Sequence, residues 1–171
     1  MLKPTLLVVT ALVTTAVAQA AAPLAPNHLV LNEVVANPLG TDLGNEWIEI
    51  YNPTPFDVDL AGWTVTDRDT GASGGTDGLS GIVPAFGHLV VTLKAPRLAN
   101  TADDVALVAP DGLVVDEIAW GGTSGRAAAP EGHALARWHL LSPTGPALGS
   151  EDEWHVTATP TPGAANAAWT P

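Results

Sequence analysis

Between residues 29 and 138 the chain is a succession of short apolar or alternating runs, each closed by Gly, Pro, Asn or Asp, with almost no helical periodicity. A chain punctuated this way cannot propagate a helix and is restricted to an all-β sandwich or barrel. The runs are Leu29 to Val35, Glu46 to Tyr51, Trp63 to Thr66, His88 to Leu93, Val105 to Val108, Val114 to Trp120 and, more weakly, Ala134 to Trp138. Those seven runs match the usual strand count of a sandwich. Turn chemistry separates them: Asn52-Pro53 ends one run, Asp111-Gly112 reads as a hairpin, and Pro84 to Gly87 turns into the next.

Within Glu46 to Tyr51, the period of two places Ile48 and Ile50 on one face and Trp47, Glu49 and Tyr51 on the other. In Val114 to Trp120 the same period groups Val114, Ile118 and Trp120 with Asp116. A carboxylate is therefore expected near the interior, accepting backbone N–H bonds, because an unpaired buried charge costs too much. Arg126 to Trp138 reads as a loop leading into a strand, since Pro130 and Gly132 interrupt any helix. The Ala-, Thr- and Pro-rich end from Thr157 is expected to run over the surface or to be disordered.

The first residues point to export. Met1-Leu2-Lys3 supplies one positive charge, Leu6 to Val17 an apolar run, and Ala18-Gln19-Ala20 a small-x-small cleavage site. Residues 1–20 are read as a signal peptide, 21–27 as a linker, 28–166 as the domain and 167–171 as a tail. The apolar run is shorter than the roughly 20 residues needed to cross a bilayer, so no membrane span is expected after cleavage. The expected location is secreted, periplasmic or cell-surface. With 0 cysteines, no disulfide supports the fold and a buried core must do so.

With 18 acidic against 6 basic residues, the chain carries a net charge of −12. Such a surface repels phosphate backbones, and nucleic acid is a poor fit as a partner. A protein or cell-envelope polymer is the expected one.

Several segments carry candidate chemistry. Gly71-Ala72-Ser73-Gly74-Gly75 has the letters of a nucleophile elbow but lacks the strand-to-helix context that exposes the serine, and reads as a flexible loop. Asp67, Asp69 and Asp77, in the Gly- and Asp-rich stretch from Asp67 to Gly81, are candidate oxygen ligands for Ca²⁺, although the spacing departs from an EF-hand. The histidines show no zinc-binding spacing. Glu46 and Glu49 lie on opposite faces of one strand and cannot pair, and Glu151-Asp152-Glu153 reads as a charged loop. Of 6 tryptophans, Trp47, Trp63, Trp120 and Trp138 fall in predicted strands, where packing is the default. Trp154 and Trp169 fall in loop or tail and are the candidate partner contacts. No nucleophile, base and orienter form a coherent set, so no catalytic residue is assigned.

Three ordered motifs, Leu31-Asn32-Glu33-Val34, Asn45 to Pro53, and Val58-Asp59-Leu60-Ala61-Gly62-Trp63, resemble the opening of the lamin tail domain family. The likeness continues through Val83 to Val91, Leu98 to Asn100 with Asp104 to Leu107, Gly112 to Asp116, Ala134 to Arg137 and Thr159 to Asn166, the last two resembling the close of bacterial members. The resemblance implies an immunoglobulin-like antiparallel β-sandwich, and a secreted binding or structural module without turnover. The alternative is a Ca²⁺-dependent adhesin, or a hydrolase or nuclease accessory, using the acidic loop 67–81. Filament assembly does not carry over, because no heptad coiled coil precedes the domain.

Overall fold

In β2 (Trp47–Tyr51), strand alternation sends Ile48 and Ile50 to one side, both fully buried, and Trp47, Glu49 and Tyr51 to the other. Repeated across neighbouring strands, that alternation builds the core. The computed structural model describes residues 27–67, 74–94, 98–138 and 153–167. The remaining strands are β1 (Val30–Val35), β3 (Val58–Asp59), β4 (Thr64–Asp67), β5 (Gly75–Gly78), β6 (Ile82–Val83), β7 (His88–Thr92), β8 (Asp103–Val108), β9 (Val114–Trp120), β10 (Ala134–Arg137) and β11 (Trp154–Thr157). No helix occurs among the described residues.

All pairings are antiparallel. One sheet runs β11-β10-β1-β2-β7, a second runs β5-β4-β8-β9, and β3 with β6 forms a short ribbon. The sheets pack as an immunoglobulin-like sandwich. Leu31, Val34, Ile48, Ile50 and Leu135 come from the first sheet and Val65, Val105, Leu107, Ile118 and Trp120 from the second. Burying one such side chain contributes about 1.5–3 kcal/mol. Trp120 also donates its indole N–H to the Ala99 carbonyl at 3.0 Å, which leaves no polar atom of the ring unpaired.

The seven expected strands are present, and four short ones add to them. β5, with the sequence Gly75-Thr76-Asp77-Gly78, holds no large apolar residue; pairing of Thr64 with Gly78 and Asp67 with Gly75 makes it a strand. Residues 75–78 of the stretch expected to be a glycine-rich loop are therefore a sheet edge, and residues 68–73 lie outside the described residues. The signal segment, residues 1–20, lies outside them too.

A bulge in β1 has a larger consequence. Leu31 faces Ile50 and Glu33 faces Glu49, so Asn32 is an extra residue on β1. The bulge returns Val34 to the core opposite Ile48 and leaves Asn32, Glu33 and Glu49 on the outer face. The C-terminal segment, residues 158–167, covers them there.

Candidate functional site

Antiparallel pairing of β4 with β8 brings the end of one to the start of the other. The carboxylates of Asp67, Asp103 and Asp104 gather at that corner, their nearest oxygens within 4.8 Å of one another. Asp67 and Asp103 are buried. Asp103 Oδ1 accepts the Asp104 N–H at 2.8 Å and its Oδ2 accepts the Ala99 N–H. Alongside lies an open cavity of about 320 Å³ lined by Ala102, Asp103, Trp120 and the turn from Gly121 to Ser124. Calcium takes about six to eight oxygens. This corner brings three carboxylates, of which Asp103 already holds a loop and a strand end in place.

Of the expected ligands Asp67, Asp69 and Asp77, Asp67 stands at this corner, with Asp103 and Asp104 beside it. Asp77 stands opposite Val65, two positions along the ladder from the pair Asp67–Gly75, and its Oδ2 accepts the Lys94 N–H at 3.4 Å. Asp69 lies outside the described residues. Asp103 and Asp104 become neighbours of Asp67 only through strand pairing, which no spacing along the chain reveals.

A second charged cluster is internal. Arg137 on β10 donates Nε to the Leu31 carbonyl at 2.7 Å, pairs through Nη2 with Asp116 of β9 at 2.6 Å, and pairs through Nη1 with Glu153. Asp116 Oδ2 also accepts the Leu31 N–H at 2.7 Å, the interior backbone role expected for it. Burial pushes the Arg137 guanidinium below its ordinary value, and Asp116 opposes that shift. Trp154 corrects the sequence reading. It lies in β11, is 7% exposed, and stacks under Arg137 with the guanidinium 4.6 Å from the ring centroid. It therefore offers no free surface to a partner; the cation–π contact holds it inward. Trp169 lies outside the described residues.

The third cluster is the paired carboxylates of Glu33 and Glu49. Glu33 Oε2 accepts the Thr161 N–H at 2.9 Å. Glu49 accepts the Gly163 N–H at 2.5 Å and the Asn32 amide at 2.7 Å. Asn166 completes the attachment, donating to the Asn32 carbonyl at 2.8 Å and the Arg137 carbonyl at 2.7 Å. Burial raises Glu33 to about 7, with the Glu49 charge adding and the Thr161 N–H opposing. Burial likewise raises Glu49. Glu33 and Glu49 are sealed from solvent, so they clamp the C-terminal segment and do not face a substrate.

At one end of the sandwich the turn after β2 meets the turn before β7. The buried Asn52 amide nitrogen donates to the carbonyls of Phe56 at 2.6 Å, Val83 at 3.1 Å and Pro84 at 3.1 Å. Its oxygen accepts from the Thr54 hydroxyl at 2.7 Å and the Thr54 N–H at 3.0 Å. Phe86 N–H donates to the Thr54 carbonyl at 3.2 Å. Asn52, which with Pro53 ends a run in the sequence, also ties these two turns into one body.

The family model of the Lamin Tail Domain matches residues 22–122, more than half of the chain. This chain belongs to the lamin tail domain family. Its members are non-enzymatic immunoglobulin-like domains, in keeping with the sandwich and with carboxylates committed to backbone N–H groups. No curated protein matches the chain. The match ends just after β9, so this lamin tail domain carries β10, β11 and the clamped segment beyond it. Among the described residues, no helix is long and apolar enough to cross a membrane.

Proposed function

We propose that this lamin tail domain is an exported binding module that holds a protein or envelope polymer on its loops and catalyses no reaction. The observation that carries this reading is where five of the buried or half-buried carboxylates go. Glu33, Glu46, Glu49, Asp103 and Asp116 accept backbone N–H groups of Thr161, Leu98, Gly163, Ala99 and Leu31, respectively. Groups that would serve as acid, base or ligand instead fix loops to sheets. The small-x-small site Ala18-Gln19-Ala20 supports export, and the net charge of −12 supports a partner other than nucleic acid.

The test is capture: the domain, offered extracellular and envelope fractions, recovers a partner that saturates. Absence of binding to every fraction sinks the proposal. Hydrolase and nuclease assays with added divalent ions are expected to show no turnover. Contact with the partner is expected not to require metal. Calorimetric titration of Ca²⁺ into chelator-treated protein should give no saturable heat. One-site heat abolished by Asp67→Asn would replace this reading with the Ca²⁺-dependent adhesin that the Asp67, Asp103 and Asp104 corner would serve.

A further inference from the structure

The chain has 2 phenylalanines, and neither is in the core. Phe56 is 73% exposed and Phe86 is 61% exposed, with Ile82 at 57% in the adjoining ribbon. A single exposed apolar residue needs no explanation. Here the backbones of both phenylalanines are fixed by the Asn52 side chain and by the Thr54–Phe86 hydrogen bond, so the rings project from one braced end of the molecule. Phe86 has a φ of +54°, and among the described residues it is the only non-glycine with a positive φ. Bulky side chains strongly disfavour that region. The turn from Pro84 to Gly87, closed by Gly87 N–H to the Pro84 carbonyl, therefore holds a strained residue whose ring gains no burial in return. Strain retained without packing gain is a mark of a functional position.

The charged residues carried by segments 52–60 and 81–87 are both acidic. Asp57 and Asp59, both exposed, follow Phe56 in the chain. Asp57 Oδ1 accepts the Ala85 N–H at 2.9 Å, which fixes that carboxylate between the two turns. Neither 52–60 nor 81–87 contains Lys or Arg. Resting on the binding-module reading and naming its contact and partner class, we propose that Phe56, Phe86 and Ile82 form a docking tip for a basic protein segment with apolar side chains between its Lys or Arg residues. A basic segment matches Asp57 and Asp59 while its apolar side chains cover the rings, the arrangement of an aromatic anchor within a charged rim. A second copy would bring Asp57 and Asp59 against their own kind, and an anionic membrane would be repelled by the same carboxylates.

The probe is a labelled peptide alternating Lys with Phe, titrated into the isotope-labelled full chain and followed by amide shifts and fluorescence anisotropy. Saturable binding is expected, with shifts confined to residues 54–59 and 82–87. Glu-for-Lys and Ser-for-Phe peptides, and phosphatidylcholine vesicles, are expected not to bind. Phe56→Ser with Phe86→Gly should weaken the Lys-Phe peptide at least about tenfold, the effect of losing one strong anchor. Phe86→Gly alone should leave the melting temperature unchanged or raise it, because glycine relieves the positive φ. Unchanged affinity in the double variant, shifts elsewhere, absence of binding, or preference for vesicles would each overturn the tip. Envelope capture that persists in the double variant would retain the binding-module reading without this site.

Discussion

Glu33 of β1 and Glu49 of β2 stand directly opposite each other, both fully buried, and their carboxylates clamp the same C-terminal segment through Thr161 and Gly163. Burial, with the neighbouring charge, raises Glu33 from 4.5 to about 7. The folded state therefore binds this proton more tightly than the unfolded chain. The resulting stabilisation is complete below about pH 4.5 and is lost as the pH rises through about 7. On the order of 3 kcal/mol is at stake across that window. His155, lowered by burial, contributes in the opposite sense, so the variant difference is the informative quantity. Urea unfolding at pH 5, 6, 7 and 8 is expected to show wild type losing stability relative to Glu33→Gln as pH rises. Parallel curves would remove the titration from this pair.

Asn166 holds two sheet carbonyls, those of Asn32 and Arg137, with one amide nitrogen. Asn166→Asp keeps the shape but loses the donor and adds a charge where none is paired. Each carbonyl left without a donor costs about 1–3 kcal/mol. Asn166→Asp is expected to lose at least 2 kcal/mol by this reasoning and to expose the Thr161 and Gly163 amides to rapid hydrogen exchange. Retained protection at those amides would show that the two carboxylates hold the segment without Asn166.

Arg137 lies between Asp116 and Glu153 with Leu31 O at its Nε. Arg137→Met leaves the buried Glu153 and the half-buried Asp116 without their cation across the vacated space, and a loss of roughly 3–5 kcal/mol is expected. Adding Glu153→Gln should recover part of it, because one of the stranded charges is gone. A double-mutant cycle with coupling below about 0.5 kcal/mol would mean that the ion pair contributes nothing specific.

What could be read in the sequence depended on whether neighbours along the chain settled the matter. β2 was legible because Ile48 and Ile50 alternate with polar or aromatic residues, and Asp116 because it sits in phase with Ile118 and Trp120. β5 was not, since Gly75 to Gly78 becomes a strand only against β4. The Glu33–Glu49 pair depends on a single extra residue, Asn32, and Asp103 joins Asp67 only through pairing of β4 with β8. Trp154 was misplaced because the cation above its ring, Arg137, is on a different strand. Phe86 sat in plain view within a turn motif, yet its positive φ belongs to the folded backbone.

Gly121 separates space from conformation. Its φ is +64°, and an added methyl would meet the Thr101 carbonyl and lie 2.7 Å from Ala102 Cα. Gly112, at φ +85°, has open space around it. Alanine at Gly112 therefore meets only the conformational cost, about 1–2 kcal/mol. Alanine at Gly121 must also push segment 99–104 away from β9. That movement breaks into the Trp120–Ala99 hydrogen bond and the Asp103–Ala99 contact. Gly121→Ala is expected to destabilise by at least twice as much as Gly112→Ala in thermal or urea unfolding, with altered Trp120 fluorescence in the former alone. Equal losses would show that the turn relaxes without disturbing the acidic corner.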